Sequence, residues 1–404
     1  MSDKSAQIAP SPGELLTIPL ADLTKLGGFE TAREIAQQPA LWRKTWKMVL
    51  GKADQIKHFL DKAYGTDDLE VIFAGAGTSS FIGDILQGYF EKNTGRRSAS
   101  IPTTDLITHP ELYFHGKSVL LLSFARSGNS PESLAAVKLA DQQCKKVFHF
   151  IITCNADGEL ATADYVNPAF LFLLPAEAED LSVAMTGSFT SMLLAGLLVS
   201  RINDLKGVDQ QVESLIGYGE YFIGTYASTL RQVAQLDFKR AVFLGSGPMQ
   251  GTAKESALKL QEFTNGKVIC KHDSFLGFRH GPKVIINPST LIVYLFSNKE
   301  YVSSYERDLV DAVNKSDAGL YQVAVSESPL NDHRLNLNIY FTHQPPQVEE
   351  EFLSVCHVLP AQILGFFKAL ALALRPDNTV ENGTITRVVK GVNIYPFNKR
   401  LAGK

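Results

Sequence analysis

Two short stretches combine glycine with small hydroxyl side chains, a composition that lets the backbone approach an anion while serine and threonine donate to its oxygens. They are GAGTSS at Gly75–Ser80 and ARSGNSPE at Ala125–Glu132. Each follows an apolar run and precedes an amphipathic segment. Both therefore belong where a strand ends and a helix begins, the edge at which open parallel sheets bind ligands and helix dipoles favour negative charge. Ser80 stands where a dinucleotide fingerprint needs its third glycine, so a phosphomonoester suits the loop better than a dinucleotide. In the second loop Ser127 and Ser130 offer hydroxyls and Arg126 a charge, while Ser130 also fits as the N-cap of a helix beginning at Pro131.

Further along, ESALKLQE (Glu255–Glu262) and FRHGP (Phe278–Pro282) carry the titratable groups. By spacing alone, Lys259 lies four residues after Glu255 and three before Glu262, as in a surface ion-paired helix face, and Glu262 reads as a solvated glutamate. Placed in a site, Glu262 could instead hold and return a proton beside a substrate carbon. His280 sits in a loop and brings an imidazole that titrates near neutrality.

The elements that must position these groups are visible as apolar runs. VIFAG (Val71–Gly75), VLLLSF (Val119–Phe124), VFHFIIT (Val147–Thr153) and AFLFLLP (Ala169–Pro175) read as buried strands, with helices over about Ser79–Glu91, Pro131–Cys144 and Thr186–Ile202 between or after them. The order returns with AVFLGSG (Ala241–Gly247), TLIVYLF (Thr290–Phe296), LYQVAV (Leu320–Val325) and LNIYFT (Leu337–Thr342), and with helices over about Gln250–Phe263 and Phe352–Leu374. Equivalent strands begin about 168 to 173 residues apart, which predicts a duplicated α/β unit. Helical spacing over Thr31–Tyr64 predicts an arm before the first unit, and Val208–Leu236 a helical connector between the two. The expected division is residues 1–48 for tail and arm, 49–207 and 208–380 for the two units, and 381–404 for a C-terminal tail.

Composition narrows the function classes. The chain has 404 residues, 45% of them apolar and 20% charged, with a formal net charge of −3. That balance fits a globular protein and does not call for nucleic acid. Cys144, Cys154, Cys270 and Cys356 form no CxxC pair, so buried thiols are expected rather than a disulfide frame or a thiolate metal site. The first dozen residues lack the apolar core of a secretory signal and predict a short disordered tail on a cytoplasmic protein. The apolar stretches Met192–Val199 and Ile363–Leu374 fall short of the ~20 residues that span a bilayer.

In its order of motifs, from GAGTSS and ARSGNSPES to ESALKLQE and FRHGP, residues 45–397 resemble the sugar isomerase (SIS) family. They are most similar to the branch of tagatose-6-phosphate ketose/aldose isomerases and galactosamine-6-phosphate deaminases, and more distantly to the isomerase half of glucosamine-6-phosphate synthase. The resemblance implies two tandem, doubly wound parallel-sheet SIS domains. It puts Thr78, Ser79, Ser127 and Ser130 at phosphate-loop positions, with Arg126 where the synthase has glutamine, and Val183 in a segment lining the sugar (DLSVAMTGSFT, Asp180–Thr190). It assigns catalysis to Glu262 and Lys259, and ring opening to His280 supplied by the adjacent subunit of a homodimer. The glycine loop of the second half, GSGPMQGT, lacks the serine-rich pattern and reads as a relic, leaving one working site per chain.

Two departures from the synthase matter. No glutamine-hydrolysing domain with an N-terminal cysteine is expected, and the tail PDNTVENGTITRVVKGVNIYPF (Pro376–Phe397) differs from the synthase's lysine-bearing end. Glutamine is therefore not expected as the ammonia source, and no residue of the tail receives a role. The implied reaction is galactosamine 6-phosphate and water to tagatose 6-phosphate and ammonia, with no metal or cofactor and no nucleic-acid or membrane partner. Aldose/ketose isomerisation without loss of nitrogen, and a non-catalytic phosphosugar sensor, remain open beside it.

Overall fold

Two five-stranded parallel sheets organise the chain in a computed structural model that describes residues 13–330, 332–379, 387–388 and 391–397. The expected disordered tail over the first dozen residues lies outside the described residues. After a two-stranded ribbon of β1 (Glu14–Leu15) and β2 (Ile18–Pro19), the first sheet comprises β3 (Leu69–Ala74), β4 (Ser98–Ser100), β5 (Ser118–Ala125), β6 (Lys146–Thr153) and β7 (Ala169–Leu173) in the order β4-β3-β5-β6-β7. The second comprises β8 (Arg240–Gly245), β9 (Ile269–Asp273), β10 (Thr290–Leu295), β11 (Tyr321–Ser326) and β12 (Leu337–Tyr340), and has the same order read from its other edge, β9-β8-β10-β11-β12. Within each sheet the chain goes from the second position out to one edge and then back to the centre. That reversal leaves a crevice beyond the C-terminal ends of β3 and β5, the position at which doubly wound sheets hold ligands.

Central strands are apolar on both faces because helices cover both. All eight residues of β5 and all six of β10 are buried. The edge strands β4 (SAS) and β9 (ICKHD) are short, polar and half-exposed, and within the two parallel sheets they are the strands that no apolar run reveals. The helix Glu300–Asn314 was also not anticipated, although its buried Leu309, Val310 and Val313 keep helical spacing.

The expected N-terminal arm is three helices, Phe29–Ala36, Gln38–Gly51 and Ala53–Tyr64, with breaks at Gln37 and Lys52. They do not stand apart from the core. Trp42 is fully buried, and its indole donates to Thr190 Oγ1 at 2.9 Å, on the wholly buried helix Gly187–Ser200. The connector is the helix Leu205–Ala234. Near the C-terminus, the helical stretch Glu350–Ala371 is 22 residues long and apolar enough to cross a membrane, longer than the Ile363–Leu374 stretch noted in the sequence. Its apolar window is 94% buried inside the protein, so its apolarity serves the core.

The two halves meet along helices Thr78–Thr94 and Pro248–Phe263, which follow the two equivalent glycine loops. A Cβ at Gly251 would come within 2.6 Å of Ile85 Cγ1, so this close crossing requires a residue without a side chain. The crossing brings the last turns of the second-half helix, with Lys259 and Glu262, beside the first turn of the first-half helix, with Thr78.

Candidate active site

At the β3/β5 crevice lies a cavity of about 200 Å³ lined by Thr78, Ser79, Arg126, Ser127, Ser130, Val183, Lys259 and Glu262. Eight of the nine residues singled out in the sequence thus converge, drawn from four separate segments. The ninth, His280, does not line it.

The first hydroxyl loop turns sharply. Gly77 has φ 55° and ψ −130°, a conformation costly for any residue with a Cβ, and a Cβ at Gly75 would meet the Ser79 carbonyl carbon at 2.5 Å. Ser79 reaches Met185 Sδ at 4.0 Å across the cavity, while Ser80 turns back to Gly77 O at 2.7 Å. In the second loop Ser130 is the cap its position suggests, accepting from Ser133 N at 3.4 Å, and Ser127 Oγ accepts from Asn129 N at 3.3 Å.

Arg126 lines the cavity and also binds the chain around it. It is 7% exposed, and its guanidinium donates to the carbonyls of Ser182 (3.1 Å), Val183 (3.2 Å) and Arg387 (2.6 Å). Burial lowers its pKa. Its hydrogen bonds hold the segment that carries Val183 and the backbone at Arg387, so this arginine is a brace as well as a cavity wall.

Lys259 is the centre of charge. Its ammonium, fully buried, donates to Glu262 Oε2 at 2.5 Å and Thr78 Oγ1 at 3.0 Å and lies 3.4 Å from Glu255 Oε1. Spacing alone reads these groups as a surface ion-paired face; Glu255 and Lys259 instead lie entirely inside, where the two halves cross. Burial alone would lower the Lys259 pKa, but the two carboxylates outweigh it and raise it, so the ammonium stays charged. Glu255 finds no hydrogen-bond donor for either oxygen, and burial pushes its pKa up to about 8 against the pull of Lys259. A protonated Glu255 leaves Lys259 and Glu262 as a neutral pair facing the cavity. Sequence spacing placed Glu255 beside Lys259 but carried no sign of its burial.

The segment carrying Val183 is fixed from behind. Asp180 accepts from the backbone N–H groups of Thr186 (2.7 Å), Gly187 (3.1 Å) and Ser188 (3.0 Å) at the start of the buried helix. Glu34, from the N-terminal helices, accepts from Leu181 N at 2.5 Å and from Ser182 N at 3.2 Å. Burial and the nearby Asp180 push Glu34 up to about 8. Neither carboxylate was singled out in the sequence: Glu34 lies 147 residues from its partner Leu181 and belongs to no motif.

His280 is exposed on a turn whose neighbours Phe275 and Phe278 anchor in the second-half core, leaving Arg279 and His280 outside. The exposed Leu276 and Val284 flank it.

A larger cavity of about 540 Å³ lies by the second glycine loop, lined by Asp84, Tyr89, Lys92, Gly247, Lys254 and His272. It lacks paired hydroxyl loops. In the loop after β10, Ser297 N donates to Glu306 at 2.9 Å, and the Ser297 hydroxyl donates to Glu350, which Tyr89 and Lys299 also contact. Carboxylates of the chain itself thus take the donors of this loop, whereas the hydroxyls of the first-half loops line the smaller cavity.

Paired parallel sheets of matching strand order, with a hydroxyl-lined cavity at the switch point of the first, define a double SIS-domain protein. The SIS domain pattern matches residues 67–200. A D-galactosamine-6-phosphate deaminase AgaS of Shewanella sp. (strain ANA-3) is 38% identical over 390 residues, covering 95% of this chain and 96% of that protein. The crystal structure of tagatose-6-phosphate ketose/aldose isomerase from Escherichia coli matches with a TM-score of 0.83 at 32% identity, over 92% of this chain and 97% of that one. The C-terminal domain of glucosamine-fructose-6-phosphate aminotransferase from Francisella tularensis, 18% identical with a TM-score of 0.68 over 85% of this chain and 96% of that one, shares the fold. The chain belongs to the SIS family, in its branch of AgaS-type D-galactosamine-6-phosphate deaminases.

Proposed function

We propose that this protein is an isomerising deaminase that converts galactosamine 6-phosphate and water to tagatose 6-phosphate and ammonia. The observation that carries the reading is the Lys259–Glu262 pair at the edge of a cavity whose other wall is the two hydroxyl loops. Ser79, Ser127 and the loop amides hold the phosphate, and the open-chain aldehyde lies towards Glu262. The Glu262 carboxylate takes the C2 proton, which the C1 carbonyl acidifies, giving an enolamine, and returns a proton to C1. The C1 oxygen gains a proton and C2 becomes a ketimine. Water adds at C2, and the C2–N bond breaks to release ammonia. Lys259 pairs with Glu262 and supplies positive charge near the developing enolate oxygen.

The names of the relatives support both steps, deaminase for AgaS and ketose/aldose isomerase for the solved structure from Escherichia coli. The latter keeps isomerisation without loss of nitrogen as the second reading. Ammonia release measured across a panel of hexosamine and N-acetylhexosamine 6-phosphates separates the two: galactosamine 6-phosphate is expected to give the fastest release. Ketose formation with nitrogen retained on every substrate would favour plain isomerisation.

His280, exposed in the single chain, fits donation into the site of a second copy for ring opening. Such a homodimer makes a specific expectation. Glu262→Gln and His280→Ala subunits, each inactive alone, should on verified exchange give heterodimers with one intact site and about half the wild-type activity per heterodimer. No recovery would place both residues in the same site of the same chain. The reaction belongs in the cytoplasm, where the charge of sugar phosphates retains them.

A further inference from the structure

We propose that Arg387, in the C-terminal tail, is a positioning residue that sets how tightly the site holds the sugar end of its substrate. The proposal rests on reading the cavity as a phosphosugar site. Arg387 and Val388 line that cavity together with Val183 and Met185. The Arg387 guanidinium donates from Nε to Asp180 O and from Nη2 to Glu179 Oε1, both at 2.8 Å, while its own carbonyl accepts from Arg126 Nη2 at 2.6 Å. Arg126 in turn donates to Ser182 O and Val183 O. The two arginines interlock across one segment.

The chemistry of the bracing is divided. Asp180 and Glu34 satisfy the N–H groups of residues 181, 182 and 186–188, whereas Arg126 and Arg387 satisfy the carbonyls of residues 180, 182 and 183. The carboxylates and Arg126 sit on the folded core. Arg387 is the member of the set that the tail contributes, and its side chain is one-third exposed, so it can be removed at little cost to the core. The phosphate loops do not depend on it: Ser79 N bonds to Ala76 O at 3.1 Å, and Ser130 caps its own helix. Loss of Arg387 should therefore loosen the wall formed by Val183 and the tail while leaving the anion end intact.

The test uses the full-length chain and two probes, galactosamine 6-phosphate and inorganic phosphate, with binding read by calorimetry and turnover by ammonia release. Arg387→Ala is expected to weaken galactosamine 6-phosphate binding and raise KM by about tenfold or more, through a misplaced wall, with kcat falling less than KM rises. Affinity for inorganic phosphate should stay within about twofold, since phosphate contacts the loops alone. Arg387→Lys keeps a charge near Glu179 but cannot also span to Asp180 O, and should fall between the two. Sugar-phosphate affinity and KM within twofold of wild type in Arg387→Ala would overturn the proposal. So would a parallel loss of both ligands with a lowered melting temperature, which would make Arg387 a general scaffold residue. If the wild type binds galactosamine 6-phosphate yet releases no ammonia, the deaminase reading fails while the binding comparison still decides the role of Arg387.

Discussion

Glu262→Gln is expected to lower turnover of galactosamine 6-phosphate by about 10²-fold or more while the protein stays folded and keeps its affinity for phosphosugars. Glutamine retains the size of the side chain, and its amide oxygen can still accept from Lys259, which now donates to Glu262 Oε2 at 2.5 Å. The backbone there is held independently, by Thr379 Oγ1 donating to Glu262 O at 2.9 Å. Only the base is removed, so the loss should appear in kcat with little change in binding. Wild-type-like turnover would take Glu262 out of the mechanism. A wild-type protein that binds phosphosugars tightly and never converts them would instead indicate a sensor, for which Glu262 has no task.

Lys259→Met should produce the second large effect, on stability as well as rate. The ammonium is the nearest countercharge to Glu255, which is wholly buried with no hydrogen-bond donor on either oxygen, and it also pairs with Glu262. Removing one partner of a buried ion pair typically costs about 3 to 5 kcal/mol. Here the cost depends on pH. The Glu255 pKa is raised to about 8, so the stability tied to its proton is present at low pH and lost as pH rises through that value. Without Lys259 the raise is larger still. The melting-temperature gap between wild type and Lys259→Met should therefore be smaller near pH 6 and widen once pH passes about 8, so that thermal denaturation at pH 6 and pH 9.5 makes the comparison directly. A gap that stays small at both values would mean that the buried cluster is not an electrostatic unit.

What the sequence reveals about this fold follows burial. Strands such as β5 and β10, apolar on both faces, stand out as unbroken runs, and their repeat at a fixed offset anticipated the matched order of the two sheets. The edge strands β4 and β9 escaped because a half-exposed strand of three to five mixed residues resembles a loop. Continuous helical spacing hid the breaks at Gln37 and Lys52, because periodicity records which face is buried and not where a helix ends. Hydroxyl loops were legible because the strand–glycine–helix grammar is local.

The rest of the site depends on contacts made across the chain. The spacing of Glu255, Lys259 and Glu262 gives their common face but not that the opposing helix Thr78–Thr94 covers it. Arg126 reads as an anion clamp, and its bonds to the carbonyls of residues 182, 183 and 387 have no signal in the sequence. Glu34, Asp180 and Arg387 brace the segment that carries Val183 through contacts that neither spacing nor motif reveals, and Glu34 lies outside every motif.

Incubating the wild-type protein with galactosamine 6-phosphate in deuterium oxide and following the mixture by NMR tests the proposed chemistry most directly. Proton transfer through Glu262, part-exposed at the cavity and able to exchange with solvent, predicts tagatose 6-phosphate enriched in deuterium at C1, together with one ammonium per sugar consumed. Ketose formed without ammonium would replace deamination by plain isomerisation, and substrate that binds yet is recovered unchanged and undeuterated would contradict the account outright.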